Sequence, residues 1–441
     1  MTHLHPRHVT MIALGGVIGA GLFVGTGAGI ALAGPAVLIS FTAAGLLALL
    51  IMRMLGEMAA EHPSGGAFSV HAEKAIGPWA GFTVGWLYWS AVGVVLAVEA
   101  TAAAKIAAAW IPAVPQWTWV LVFMSTLTAV NLANVRNFGE FEFWFAGLKI
   151  AAIVLFLALG AAAIAGLFPG IESPGITNLE DFLPNGWSGV LAGFMTVVFA
   201  FGGLEVVTIA AADAEDPKQA IKKAVRTSIT RLLVFYLGSM AVVVTLLPWN
   251  DSRVGTSPYV AVLDRLGIPA AGQIMNVVIF VALLSAINAT LYAAARVLCS
   301  LAERGEAPKA LLDKTNGVPR NAVLASAAFG FFSVVLNYLW PDTVFLVLLN
   351  AVGSVILVVW GFIAISQIRL RRTMNNPAVP MWGYPYLSWL TLTAIVAIIL
   401  LMLSDEQARV QILSTGALVA VVTAVALSRS ASRRRSLRGR T

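Results

Sequence analysis

Charge is scarce in this chain. Of its 441 residues only 11% are Asp, Glu, Lys or Arg, where soluble domains carry about 25%. That excludes a conventional water-facing globular surface. Cysteine is scarcer still. Cys299 stands alone, which excludes an intramolecular disulfide and a cysteine metal site. Histidine is confined to His3, His5, His8, His62 and His71, all outside the apolar runs. A buried histidine metal site is therefore not expected, and neither is a cofactor. Nor do the apolar runs hold the nucleophile–base pair or metal cluster that a membrane-embedded enzyme needs. The first apolar stretch is too long for a cleaved signal peptide and lacks a cleavage pattern.

What is present in abundance is apolar. Hydrophobic residues make up 59% of the chain, and the mean hydropathy is +0.86. A bilayer takes about 20 apolar residues per helix. On that scale the chain divides into twelve spans: 9–32, 35–59, 78–110, 116–134, 142–167, 187–212, 227–248, 273–301, 320–338, 343–366, 383–403 and 409–428. The expected class is an all-α polytopic membrane protein, with one membrane domain over 1–441. The third and eighth spans are long enough to imply tilt. The longest outer loops are expected over 168–186 and 249–272. On the other side, ordered segments are expected from Pro63 to Pro78 and from Ala295 to Pro308.

Orientation follows from the basic residues. Arg7, Arg53, Lys74, Arg136, the cluster Lys218 to Arg231, the cluster Arg296 to Arg320 and Arg369 to Arg372 all fall on one side, with the arginines of the tail. Only Arg253, Arg265 and Arg409 fall on the other. Both termini are thus expected in the cytoplasm and the spans in the cell membrane. The basic tail 429–441, containing SRRRSLRGR, is most simply an anchor near anionic lipid. A nucleic-acid partner is not expected.

Two spans are interrupted by glycine. Met11 to Ala33 reads MIALGGVIGAGLFVGTGAGIALA. Each interior glycine costs a helix roughly 1 kcal/mol against alanine, and the densest break is Ile18-Gly19-Ala20-Gly21. One reading is close helix packing, because Gly15/Gly19, Gly21/Gly25 and Gly25/Gly29 are GxxxG pairs. The other is an unwound helix whose bare amides receive a small anion. The sixth span has its own interruption, Phe199-Ala200-Phe201-Gly202-Gly203, followed by Glu205. Broken helices five spans apart point to an inverted-repeat transporter. The repeats would be 9–167 and 187–366, with two additional helices over 383–428. A channel would not need charged coupling groups inside its spans.

Such groups exist. Glu205 follows the second break. Lys149 lies roughly 12 Å into the fifth span at 1.5 Å per residue, too deep for easy snorkelling. A buried lysine can exchange a proton near neutrality, as a proton-coupled carrier requires. Glu99 lies about two-thirds of the way across the third span. Lys105, close to Trp110, can reach the outer interface.

The strings RHVTMIALGGVIGAGLFVGTG, IMRMLGEM, AIGPWAGFTVGWLYW, NFGEFEFWFA and TIAAADAEDPKQAIKKA resemble the amino-acid transporter family of the amino acid–polyamine–organocation superfamily. IMRMLGEM, GWLYW, NFGEFEFW, LLPWN, AERGEAP and ILSTGA look most like its GABA (4-aminobutyrate) permeases. The resemblance implies the five-plus-five inverted-repeat fold of the leucine-transporter type, with helices 1 and 6 broken, and inward proton symport. It implies that the amides of Gly19, Ala20 and Gly21 hold a carboxylate. The carbonyls of Phe199, Ala200 and Gly202, with Ile18, would take an ammonium. Lys149 and Glu205 fall on positions used for proton coupling. GABA permeases often carry Ser-Phe-Met-Gly where this chain has Ala200-Phe201-Gly202-Gly203. The string FAFGGLE also occurs in permeases for aromatic amino acids and proline. An α-amino-acid substrate, including the D-alanine, D-serine or glycine type, is the alternative.

Overall fold

A computed structural model describes residues 18–62, 67–133, 138–168, 172–203, 216–315, 318–375, 377–404 and 406–438. Among these residues, every expected span has a helix on it. The first span enters as one wide turn, Gly21–Gly25, running into α1 (Thr26–Ala33). Then come α2 (Val37–Glu61), a short α3 (Ala67–Ala75), α4 (Pro78–Trp110), α5 (Gln116–Ala133) and α6 (Phe138–Ile164). The second half holds α7 (Gly186–Phe201), α8 (Pro217–Leu246), short α9 (Ser252–Thr256) and α10 (Pro258–Arg265). It continues with α11 (Ala271–Glu303), α12 (Arg320–Leu339), α13 (Val344–Leu370), α14 (Tyr386–Ser404) and α15 (Glu406–Arg438). A two-stranded ribbon, Lys314–Thr315 with Val318–Pro319, precedes α12. Among the described residues, eight continuous stretches are long and apolar enough to cross a bilayer, and Gly186–Phe201 and Leu233–Leu246 are shorter apolar helices.

Local chemistry sets several of these boundaries. Pro217 opens α8 at a position where its missing N–H costs nothing. The Asp216 carboxylate accepts from the Gln219 amide at 3.2 Å and caps the same turn. Pro78 opens α4 in the same way, after Gly77. The interiors hold almost no charge, so helical backbone bonding is the only way to satisfy their polar groups in lipid.

The long α4 is the central column. α3, α5, α11, α12, α13 and α15 all pack on it. Beside it, α1 packs on α7, and α2 packs on both α7 and α8. The two broken spans are therefore neighbours within one bundle, with α4 behind them. The loop segments α9 and α10 cover the end away from the basic residues. There Tyr259 is fully buried, its ring 5.1 Å from Phe23 and 4.5 Å from Phe156.

The basic side is held by buried polar contacts. Glu57, at the end of α2, accepts from Gln367 Nε2 at 2.5 Å and from the Met381 amide at 3.0 Å, and Arg371 Nε lies 3.2 Å away. Ser388 on α14 donates to Gln367 at 2.9 Å. This network ties α2, α13 and α14 together. Arg304, just past α11, reaches Glu73 at 2.9 Å, Glu306 at 2.9 Å and Ser69 at 3.1 Å, which fixes α3 against the end of α11. Of the two segments expected to be ordered on this side, 67–78 and 295–308 carry structure, and Pro63 to Gly66 lie outside the described residues.

His71 on α3 is fully buried, and neither ring nitrogen has a hydrogen-bond partner among the described residues. Burial first, then the neighbouring His62 and Lys74, hold its pKa down to about 3. The unfolded chain, at about 6.5, binds the extra proton in between. Stability from a neutral His71 is thus complete above pH 6.5 and is lost as pH falls from there towards 3, by up to about 1.4 kcal/mol per unit. The thermal midpoint of the purified protein should fall between pH 7 and pH 5, and His71→Leu should blunt that fall. An equal fall in the two proteins would exclude His71 as its source.

Candidate functional site

The first break lies where the glycine pattern put it. Ile18 is not helical, Gly19 bends, and the wide turn starts at Gly21. The amides of Leu22 and Phe23 both donate to the Gly19 carbonyl at 3.2 Å. Residues before Ile18 lie outside the described ones. What is visible is the N-terminal end of a half-helix, with the positive end of its dipole at Gly19 to Gly21. Ile18 and Ala20 are fully buried.

The second break ends α7. Gly202 turns extended at φ −63° and ψ 147°, and Gly203 takes φ +94°, a conformation that only glycine adopts without strain. The Gly202 amide donates back to the Phe199 carbonyl at 2.9 Å. α7 thus presents a negative C-terminal end. Glu205 lies outside the described residues.

The two breaks touch. A Cβ placed on Gly21 would lie 2.6 Å from Ala200 Cα. Only a residue without a side chain lets the backbones approach so closely. Between them and α4 lies a cavity of about 50 Å³, several times the roughly 10–15 Å³ that one water needs on the same measure. Gly21, Phe199, Ala200, Gly202 and Gly203 line one side of it. Tyr88, Ala91, Val92, Val95 and Glu99 of α4, Thr290 of α11 and Val352 and Ile356 of α13 complete the wall. Of the residues singled out from sequence, Gly21, Phe199, Ala200 and Gly202 line the cavity, and Ile18, Gly19 and Ala20, which precede Gly21 in the chain, are not among its lining residues.

One amide in this set already has a partner. The Ala20 N–H donates to both oxygens of Glu99, at 3.1 and 3.0 Å. Glu99 is also pressed on Gly19, where a Cβ would lie 2.3 Å from Oε1. The sequence placed Glu99 in the membrane but assigned it no partner, since 79 residues separate it from Ala20.

Lys149 is buried on α6, its ammonium 3.9 Å from Glu142 of the same helix. Ser285 of α11 donates to the other Glu142 oxygen at 2.9 Å. Lys149 also interacts electrostatically with Glu99. Glu142 escaped the sequence reading because it stands at the edge of its apolar run, where a carboxylate usually reaches water. Its spacing of seven from Lys149, nearly two helical turns, was the available signal.

The profile described as amino acid permease matches residues 8–427. The chain belongs to the amino acid permease family. It is 46% identical to the gamma-aminobutyric acid permease of Bacillus subtilis, over 95% of this chain and 91% of that one. It is also 46% identical to the aromatic amino acid transport protein AroP of Corynebacterium glutamicum, over 94% and 92% of the two chains. A crystal structure of a mutant Eremococcus coleocola manganese transporter superposes with a TM-score of 0.60 at 14% identity, covering 96% of this permease and 94% of that chain. That likeness concerns the fold alone: twelve helices in a five-plus-five inverted repeat, with helices 1 and 6 broken. The permease is an amino acid transporter, not an enzyme.

Two outcomes follow from the site's packing. Gly21→Val must force the breaks apart, because its side chain meets backbone. Uptake should be abolished while the protein still reaches the membrane, and normal uptake would show that the contact is dispensable. Glu142→Ala leaves the Lys149 ammonium buried without this carboxylate, at a cost of about 3–5 kcal/mol. The double change Lys149→Met with Glu142→Gln should recover most of that loss in thermal unfolding of purified protein. A double variant no more stable than Glu142→Ala would mean that the two charges are not coupled.

Proposed function

We propose that this permease is a proton-coupled symporter that imports 4-aminobutyrate, or a closely related amino acid, across the cell membrane by alternating access. Both termini would be cytoplasmic, as the basic residues argue, with the tail against anionic lipid. The inverted repeats would span 9–167 and 187–366, followed by the added pair of helices over 383–428. The observation that carries the reading is the meeting of two oppositely polarised half-helix ends at one small cavity. An amino acid brings an anion and a cation, and the two ends match them. The carboxylate would take the amides of Gly19, Ala20 and Gly21. The ammonium would take the carbonyls of Phe199, Ala200 and Gly202, with Ile18 beside them. Lys149 and Glu205 are the proposed coupling groups.

An α-amino acid with an aromatic side chain is the second reading. The relative that carries aromatic amino acids is as similar as the one that carries 4-aminobutyrate. Tyr88 and Phe199 on the cavity wall also suit a ring.

Competition in proteoliposomes separates the two. Under an inward proton gradient and without sodium, unlabelled 4-aminobutyrate should suppress uptake of its labelled form at least tenfold more effectively than phenylalanine does. The reverse order would establish the aromatic reading. Lys149→Ala should reduce accumulation to the level of passive equilibration, because protonation and substrate binding bias the same broken helix. Full proton-driven accumulation by that variant would remove Lys149 from the coupling mechanism.

A further inference from the structure

The donor that an incoming carboxylate needs is occupied by a carboxylate of the protein itself. Both Glu99 oxygens converge on the Ala20 amide, and the side chain is 5% exposed. Among the described residues that amide is its one hydrogen-bond donor. An ionised carboxylate offers about four acceptor sites, so Glu99 is under-satisfied for a buried anion. It also faces the cavity. A purely structural helix cap would satisfy its acceptors and leave the cavity wall neutral.

We propose that Glu99 is a built-in competitor for the substrate's carboxylate, and that its protonation is what vacates the site. This rests on the amino-acid symport reading above and makes Glu99 the group that carries the coupled proton, with Lys149 acting on it electrostatically. Two carboxylates on one amide would place like charges within hydrogen-bond range in a buried cavity, an arrangement that does not persist. A proton from water forms an O–H bond on Glu99. The neutral acid yields the Ala20 N–H, and the substrate carboxylate accepts it instead. One positive charge has entered with one zwitterion. On the far side of the cycle the acid returns its proton to water, and its carboxylate reclaims the amide and displaces the substrate. Of the titratable groups facing Glu99, Lys149 on α6 and Tyr236 on α8 interact with it electrostatically, and Tyr88 shares its helix and its cavity. Glu142 is paired with that lysine at 3.9 Å.

The test is equilibrium binding of radiolabelled 4-aminobutyrate and phenylalanine to the purified full-length protein from pH 5 to pH 8. Linkage to one proton requires wild-type affinity to weaken up to tenfold per pH unit above the titration of Glu99. Glu99→Gln keeps the shape but cannot become an anion, so its affinity should stay within about twofold across the range. Gly19→Ala, which keeps the glutamate at 99, pushes a Cβ into its carboxylate and off the Ala20 amide and should flatten the pH dependence too. It decides the matter if Glu99→Gln does not fold. The proposal is overturned if both variants keep the wild-type slope. It is equally overturned if folded Glu99→Gln binds nothing at any pH, which would make Glu99 a substrate ligand. Wild-type binding that ignores pH rejects the Glu99 role and leaves the amino-acid reading standing. A wild type that binds neither amino acid rejects both.

Discussion

The contact between Gly21 and Ala200 organises the rest of the molecule. Backbone that leaves a helix inside a bilayer must find partners within the protein. Here the two interrupted spans supply one another with shelter. The N-terminal end of one half-helix lies against the C-terminal end of the other, so their dipoles face each other favourably. The close approach needs a residue without a side chain at Gly21. Packing of α1 on α7, and of α2 on α7 and α8, follows from placing the breaks side by side. α4 closes the remaining side and brings Glu99 to the junction.

Buried charge is the second constraint. Ions in a low-dielectric interior are costly unless paired and hydrogen-bonded. The site holds Glu99, Lys149 and Glu142 in alternating sign. Lys149 interacts with both carboxylates, and Ser285 supports Glu142. Near the basic side, Glu57 solves the same problem differently, with an amide side chain, a backbone amide and Arg371 around one carboxylate. Glu57 is well supplied with donors, whereas Glu99 has the Ala20 amide and a cavity. That contrast separates a carboxylate that fastens helices from one placed to exchange its partners.

Much of this was legible in the residues. Glycines at 19, 21, 202 and 203 weaken the helix at mid-span, and the structure bends at Gly19 just before the turn that starts at Gly21 and leaves the helix at Gly202 and Gly203. The twelve apolar runs each acquired a helix, because a segment without charge has no other way to satisfy its backbone in lipid. Two things were not legible. Glu142, at the first position of its apolar run, was not singled out, and its burial beside Ser285 depends on α11 packing over it. The Ala20 amide looked like an open anion site, and the group that fills it comes from another span. Glu205 lies outside the described residues, so its expected role is carried only by the proposal.

The sequence by itself determined the class of the protein, the positions of its spans, and the two places where helix gives way. Those are local properties. They follow from runs of apolar residues and from the backbone cost of glycine within a few neighbours. Only the tertiary structure decided which groups meet: Gly21 with Ala200, Glu99 with Ala20, and Glu142 with Ser285. These pairs are separated by long stretches of chain and belong to different helices. No periodicity encodes such a distance, which is fixed only when the whole set of helices packs around α4.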